Sequence, residues 1–269
     1  MKRVADSGRR SIDEAGSPDP RARISVVIPA LDEECEIGRA IESARAEGTE
    51  ILVVDGGSRD RTADIAASLG ARVVRGPRGR GSQLAAGALA ATGDVLLFLH
   101  ADARLPAGYR EAVLEALSGG DLALGAFRLR IDARGMGYRL IEWGVRARCR
   151  VLSAPYGDQA LFARAETYRR IGGFRPLEAL EDLDIVARAR RFGRIRTLPQ
   201  EVLVSARAWR RDGWIRVTTW NLFCALCWAG GVSAARIARW RTGRAAAGPG
   251  RGIDGRLGTG DDAPRASDP

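Results

Sequence analysis

Four short stretches of this 269-residue chain carry side chains of the kind that move protons, hold cations or approach phosphates. Glu181-Asp182 opens a segment that continues through Leu183, Ile185, Val186 and Ala189, with Arg188, Arg190 and Arg191 toward its end. Acidic residues in a first helical turn favour the helix dipole. The same carboxylates suit general-base work, in which one of them takes the proton of an attacking hydroxyl. His100-Ala101-Asp102 follows the most apolar run of the chain, Val95-Leu96-Leu97-Phe98-Leu99. A carboxylate at a strand end suits a hard divalent cation, Mg²⁺ or Mn²⁺, bridging to a diphosphate and neutralising a leaving group. His100, the only histidine, reads either as a second metal ligand or as a structural imidazole. Asp55-Gly56-Gly57-Ser58-Arg59-Asp60 reads either as a plain turn capped by Ser58 or Asp60, or as a site where Asp55 accepts hydrogen bonds from a base or ribose while Gly57 lets the backbone approach. The fourth stretch, Arg78-Gly79-Arg80-Gly81-Ser82-Gln83, is a basic glycine-rich loop open to a nucleotide or diphosphate through Arg80 and Gln83. It is not a dinucleotide fingerprint, because Leu84 stands where the third glycine belongs.

The elements that must position these residues are read from periodicity. Strand 24–28, closed by Pro29, is followed by helix 35–46, which has Ile37, Ala40, Ile41 and Ala44 at helical spacing. Strand 50–54, helix 61–69, strand 71–74, helix 82–91 and strand 94–99 repeat the unit. Unbroken apolar strands between amphipathic helices predict an α/β fold with a Rossmann-like, mostly parallel sheet flanked by helices. Ligands in such sheets bind beyond the carboxyl ends of the strands, which puts the informative loops at 29–34, 55–60, 76–81 and 100–102. After residue 120 the expected elements are strand 122–131, basic helix 138–151, a turn at 155–159, strand 160–163, helix 178–192 and strands near 194–197 and 202–204. They form the acceptor-side half of the same domain.

The composition, 45% hydrophobic, supports a large buried core. The formal charge of +10 and pI near 10.5 raise the question of nucleic acid. Lys2 is the only lysine, and Arg, Ala and Gly are abundant throughout, so the charge reads as codon bias and no nucleic-acid partner is expected. Cys224 and Cys227 lie in the apolar run Leu222–Trp228 and read as buried small hydrophobes; no disulfide and no zinc are expected. The first thirty residues hold no apolar run of signal-peptide length, so a cytoplasmic body is expected.

In order along the chain, these signals resemble the family 2 glycosyltransferases with the GT-A fold, over about residues 24–210. Val27-Ile28-Pro29-Ala30-Leu31-Asp32-Glu33-Glu34 is similar to that family's Pro-x-x-Asn-Glu-Glu opening, and Val53–Thr62 to its nucleotide-binding turn. Ala91–Asp94 leading to His100-Ala101-Asp102 resembles the approach to its Asp-x-Asp metal motif, and Leu180–Asp184 its Glu-Asp base motif. There are two departures. Gly56 stands where the family usually has a second Asp, and His100 replaces the first Asp of Asp-x-Asp. Gly157-Asp158-Gln159 and Ser205-Ala206-Arg207-Ala208-Trp209 look like a subgroup of small bacterial members. The resemblance implies an inverting transfer from a nucleotide-diphosphate sugar to a hydroxyl acceptor. It implies that Pro29, Glu33, Asp55, Gly57, Arg80, Gln83, Asp158, Gln159, Arg207 and Trp209 serve the substrates, that Asp102 and His100 serve the metal, and that Asp182, with Glu181, serves the acceptor proton.

Five of six tryptophans fall between residues 209 and 240, and no residue between Arg216 and Arg236 is charged. A span needs about 20 mainly apolar residues, and this stretch is diluted by polar ones. Segment 211–242 is therefore predicted to lie in a membrane interface, which would suit a lipid or isoprenoid acceptor; a transmembrane helix and a buried helix pair are the other readings. Residues 1–23 and 243–269 read as disordered tails. A nucleotidyltransferase and a non-catalytic sugar-nucleotide-binding protein are the competing functions. The first normally has a phosphate cradle at the first strand, where this chain has Pro29–Glu34; the second has no use for Asp182.

Overall fold

The computed structural model describes residues 22–246; most of both predicted tails lies outside the described residues. The chain opens as β1 (Ile24–Ala30), α1 (Ile37–Ser43), β2 (Thr49–Asp55), α2 (Thr62–Ser68), β3 (Arg72–Arg75), α3 (Arg80–Ala90) and β4 (Val95–Phe98). It continues with β5 (Ala103–Arg104), α4 (Tyr109–Leu117), β6 (Leu122–Asp132), α5 (Met136–Leu152), a 3₁₀ turn at Gly157–Gln159, β7 (Leu161–Arg164), α6 (Ala165–Ile171), α7 (Glu181–Ala189) and β8 (Arg194–Ser205). Three helices follow, α8 (Arg207–Asp212), α9 (Trp214–Ala229) and α10 (Ala234–Ala246).

The strands form one eight-stranded sheet in the order β3-β2-β1-β4-β7-β6-β8-β5. β1 to β4 pair in parallel. β7 runs antiparallel to β4 and β6, β8 runs parallel to β6, and β5 closes the edge antiparallel to β8. Successive side chains of a strand face opposite sides, and here both sides are covered, which is why the strands read as unbroken apolar runs. Ile24, Val26 and Ile28 of β1, with Leu97 of β4, pack under α1 and α4 through Ile41 and Val113. Val27, Leu96 and Phe98 face the other way, toward Leu84 of α3 and Ile185 of α7.

Several elements differ from the sequence expectation. The two strands expected between 194 and 204 are one, β8, which runs through Pro199. Its register against β6 shifts between Ala126/Thr197 and Arg128/Glu201, and this irregularity accommodates the proline's missing N–H. α7 is shorter than predicted. It starts after Leu180, whose left-handed φ of 61° is incompatible with helix, and ends where Arg191 and Phe192 turn back to Arg188 and Ala189 with i→i+3 bonds. α4, α6 and β5 are additional to the predicted elements. Among the described residues no helix is long and apolar enough to cross a membrane.

Candidate active site

The carboxyl ends of β1, β2 and β4 fall along one edge of the sheet, since Ala30 pairs with Asp55 and Val27 with Phe98. Beyond this edge lies a cavity of about 920 Å³ whose lining includes Arg80, His100, Asp102, Asp158, Asp182 and Trp209. Six residues predicted from separate motifs thus meet in one space, carried there by a helix start, a strand end, a 3₁₀ turn and the carboxy-terminal helices.

His100 and Asp102 leave the end of β4 in a tight turn closed by Ala103 N–H to the His100 carbonyl. Pairing of β5 with β8, together with Ser205 N–H donating to the Asp102 carbonyl, fixes that turn. Burial pushes the Asp102 carboxyl up from the usual aspartate range, against the opposing pull of Arg207. His100 is pushed down to about 3, by burial first and by Arg80 second, so the imidazole is neutral. Its Nε2 is buried and has no hydrogen-bond partner among the described residues. The 3₁₀ turn presses on it closely. A Cβ added at Gly157 would stand 3.0 Å from His100 Nε2 and 3.3 Å from Asp182 Cβ, so the glycine lets the turn sit closely between these two residues. Asp182 is held in that arrangement by two backbone donors, Gly157 N–H to Oδ2 at 2.8 Å and Leu183 N–H to Oδ1 at 2.9 Å. Each carboxylate oxygen keeps a second lone pair for a proton or a hydroxyl.

Asp158 follows in the same turn. Burial pushes its carboxyl up to about 6, with Arg148 opposing and Asp182 reinforcing the shift, and its Oδ1 is buried with no hydrogen-bond partner among the described residues. The turn itself is pinned by Gln159, 1% exposed, whose amide donates to the Phe127 carbonyl at 2.9 Å and accepts from Arg148 and from Tyr156 N–H. The Arg148 guanidinium lies 3.3 Å from the centre of the Tyr156 ring.

The described residues contain no group of three or more His, Cys, Asp or Glu side chains placed to hold a metal ion. Asp102 and His100 supply one hard oxygen and one neutral nitrogen, and the orphaned His100 Nε2 is a free donor atom. Mg²⁺ and Mn²⁺ sites in phosphate chemistry commonly take one or two protein ligands and fill the rest with water and phosphate oxygens. The pair fits an ion that arrives with a phosphate-bearing ligand.

The other predicted residues are outside the cavity lining, and half of them are engaged with each other. Glu181, 2% exposed, is ion-paired with Arg80, so α7 is clamped to the start of α3. Glu33 accepts from Arg207 Nη2 on both carboxylate oxygens, at 2.8 and 2.6 Å. Pro29 is buried in β1 opposite Val54. Asp55 folds its carboxylate over its own turn, accepting from Gly57 N–H at 3.3 Å and Ser58 N–H at 3.0 Å. The Gln83 amide donates to the carbonyls of Ala30 and Val54, both at 2.8 Å, and ties the ends of β1 and β2 to α3. This accounts for Gly56, since a Cβ there would stand 3.0 Å from Gln83 Nε2.

The cavity also has a wall that no motif announced. Val217, Trp220, Asn221 and Cys224 of α9 form it, beside Arg211, Arg216, Tyr156 and Leu180. The aromatic and arginine spacing of 209–240 was a signal for an amphipathic helix, but not for its inner face.

This mixed sheet, with its ligand edge and carboxylate-lined cavity, defines a GT-A glycosyltransferase. The model of Glycosyl transferase family 2 matches residues 25–176, and the chain belongs to that family. An uncharacterized glycosyltransferase of Mycobacterium tuberculosis is 36% identical over 196 residues, covering 70% of this chain and 81% of the relative. Among solved structures, the glucosyl-3-phosphoglycerate synthase of M. tuberculosis in complex with Mn²⁺, UDP-glucose and phosphoglyceric acid superposes with a TM-score of 0.52 at 24% identity, covering 73% of this chain and 76% of that one. A mannosyltransferase of Pyrobaculum calidifontis in complex with GDP-Man and Mn²⁺ gives 0.54 at 21% identity, covering 70% and 59%.

Proposed function

We propose that this glycosyltransferase passes a sugar from a nucleotide-diphosphate sugar to a hydroxyl acceptor in a single in-line displacement, with inversion at the anomeric carbon. The observation that carries the reading is the meeting of Asp182 with His100 and Asp102 in one cavity at the ligand edge of the sheet. Asp182, oriented by Gly157 and Leu183, takes the acceptor proton as the hydroxyl attacks. Asp102 and His100 hold the divalent ion, Mg²⁺ or Mn²⁺, which when bound supplies charge neutralisation for the leaving diphosphate. Arg80 lines the cavity and faces the same anion; its pairing with Glu181 fixes it there, which gives Glu181 a positioning role. Asp55 and Gly57 serve the nucleobase end of the donor. Pro29 and Gln83 shape that end from behind, and the Glu33–Arg207 pair stands at its margin. Asp158 and Trp209 face the sugar and acceptor, and Gln159 holds Asp158 in place. The nucleotide sugars and Mn²⁺ bound by the structural neighbours support the donor and metal parts of this reading.

The acceptor is proposed to be a lipid or isoprenoid hydroxyl, reached by an enzyme peripheral to the inner face of the cell membrane. Trp209, Val217, Trp220 and Cys224 give the cavity an apolar wall suited to such a chain.

The test is release and transfer assayed across a panel of nucleotide-diphosphate sugars with Mg²⁺ or Mn²⁺. Metal-dependent release of nucleoside diphosphate from one donor is expected, and Asp102→Ala should abolish it. Asp182→Asn should lower transfer by ~10²–10⁴-fold and leave donor binding unchanged. Full turnover in Asp182→Asn would remove that residue from the mechanism, and donor binding without turnover under all conditions would make the protein a sugar-nucleotide sensor.

A further inference from the structure

Thirteen large hydrophobic side chains are exposed among the described residues, and eleven of them lie on α5, α9 and α10. On α5 they fall in register. Met136, Leu140, Trp143 and Val151 are spaced i, i+4, i+7 and i+15, which at about 100° per residue makes a single stripe. The opposite side of α5 is apolar as well, since Tyr138, Ile141 and Val145 pack on the core. The helix is therefore hydrophobic on two faces, one of which the fold leaves uncovered.

α9 repeats the pattern. Val217, Trp220, Asn221 and Cys224 face the cavity, while Ile215, Leu222 and Leu226 form a stripe on the far side, exposed by 58%, 59% and 63%. The two helices pack together, with the Trp214 ring lying over Gly137. α10 joins them through Phe223 and Trp240, whose rings are 6.0 Å apart.

The charges carried by these helices are mostly positive. Among the residues whose side chains are described, α5 and α8 to α10 carry ten arginines and two acids, Asp212, paired with Arg211, and Glu142, which is 1% exposed and paired with Arg139. A second copy of the chain would set this positive rim against itself. An anionic bilayer complements it, with arginines at the headgroups and apolar stripes below them.

We infer that α5 and α9–α10 together form a docking face for an anionic lipid surface, with α5, some seventy residues earlier in the chain, supplying half of it. This deepens the lipid-acceptor reading, because α9 then separates the membrane on one side from the catalytic cavity on the other. Binding to vesicles is measured without turnover, so failure of the docking face and failure of the acceptor reading give different results.

The experiment is co-sedimentation of the full-length protein with phosphatidylcholine vesicles, with and without phosphatidylglycerol, at low and high salt. Wild type should pellet with the anionic vesicles only, and less at high salt. The exposed-site variants L140E/W143E on α5 and L222E/L226E on α9 should each reduce pelleting at least about tenfold, while Leu89→Glu, at an exposed leucine of α3 outside the face, should pellet as wild type. Circular dichroism melts establish that each variant is folded. Wild type remaining in the supernatant with every vesicle would overturn the proposal, and so would an α5 variant that pellets like wild type. A wild-type dimer in light scattering that L140E/W143E dissolves would also overturn it and make the face a contact between copies.

Discussion

Asp158 shows how a single buried group can report on the site. Its carboxyl is pushed up by burial from the usual 3.8 to about 6. Between those values the folded chain keeps a proton that the unfolded chain releases, so this group's contribution to stability falls as pH rises from about 4 through about 6 and stays lost above. Asp158→Asn removes the carboxylate while keeping its shape. In thermal denaturation without donor, the variant should be more stable than wild type near neutral pH, and its advantage should grow by about 1 kcal/mol between about pH 5 and about pH 7.5. An advantage that does not change with pH would mean that Asp158 is ionised throughout that range. Transfer should fall in the same variant, because Asp158 lines the cavity proposed to take the substrates. His100 contrasts with Asp158. Burial and Arg80 keep it neutral well below any working pH, so it contributes no titration near neutrality, as its proposed role of nitrogen donor to the metal requires.

Among the elements, the junction of β1, β2 and α3 turns on one amide. Gln83 satisfies two buried strand-end carbonyls at once, and Gly56 makes room for it. Restoring the family's second acid with Gly56→Asp therefore drives a Cβ to within 3.0 Å of that amide. The expected cost is about 1–3 kcal/mol in urea denaturation, through overpacking and loss of the Gln83 bonds. Wild-type stability in Gly56→Asp would show that the amide moves aside freely. α7 illustrates a second device at this scale. Leu180, in the left-handed region just before Glu181 and Asp182, lets the chain enter the helix at an angle that aims Asp182 into the cavity. A non-glycine residue there costs about 1 kcal/mol, sustained by the Arg80–Glu181 clamp beside it.

For the whole molecule, the carboxy-terminal helices decide what the sheet's ligand edge can accept. Trp220 lines the cavity and stacks toward Phe223 at 5.5 Å, at the head of an aromatic row that reaches Trp240. Trp220→Ala should raise the acceptor KM about tenfold, equivalent to about 1.4 kcal/mol of binding, and leave the donor KM unchanged in two-substrate kinetics. An equal rise for the donor would place this wall on the nucleotide side instead.

The sequence by itself determined the strand–loop–helix order of the first half and the places where His100, Asp102, Asp55 and Asp182 emerge. Those are local properties: a strand buried on both faces must be written as an apolar run, and the residue after it must leave the sheet. The tertiary structure alone decided which of these residues share a cavity. Glu181 reads in the sequence as a partner of Asp182, yet it closes on Arg80 101 positions away, and Arg207 finds Glu33 across 174 positions. Charge pairs at that separation depend on the path of the whole chain. The same holds for α5 and α9, which pack together although some seventy residues separate them in the chain.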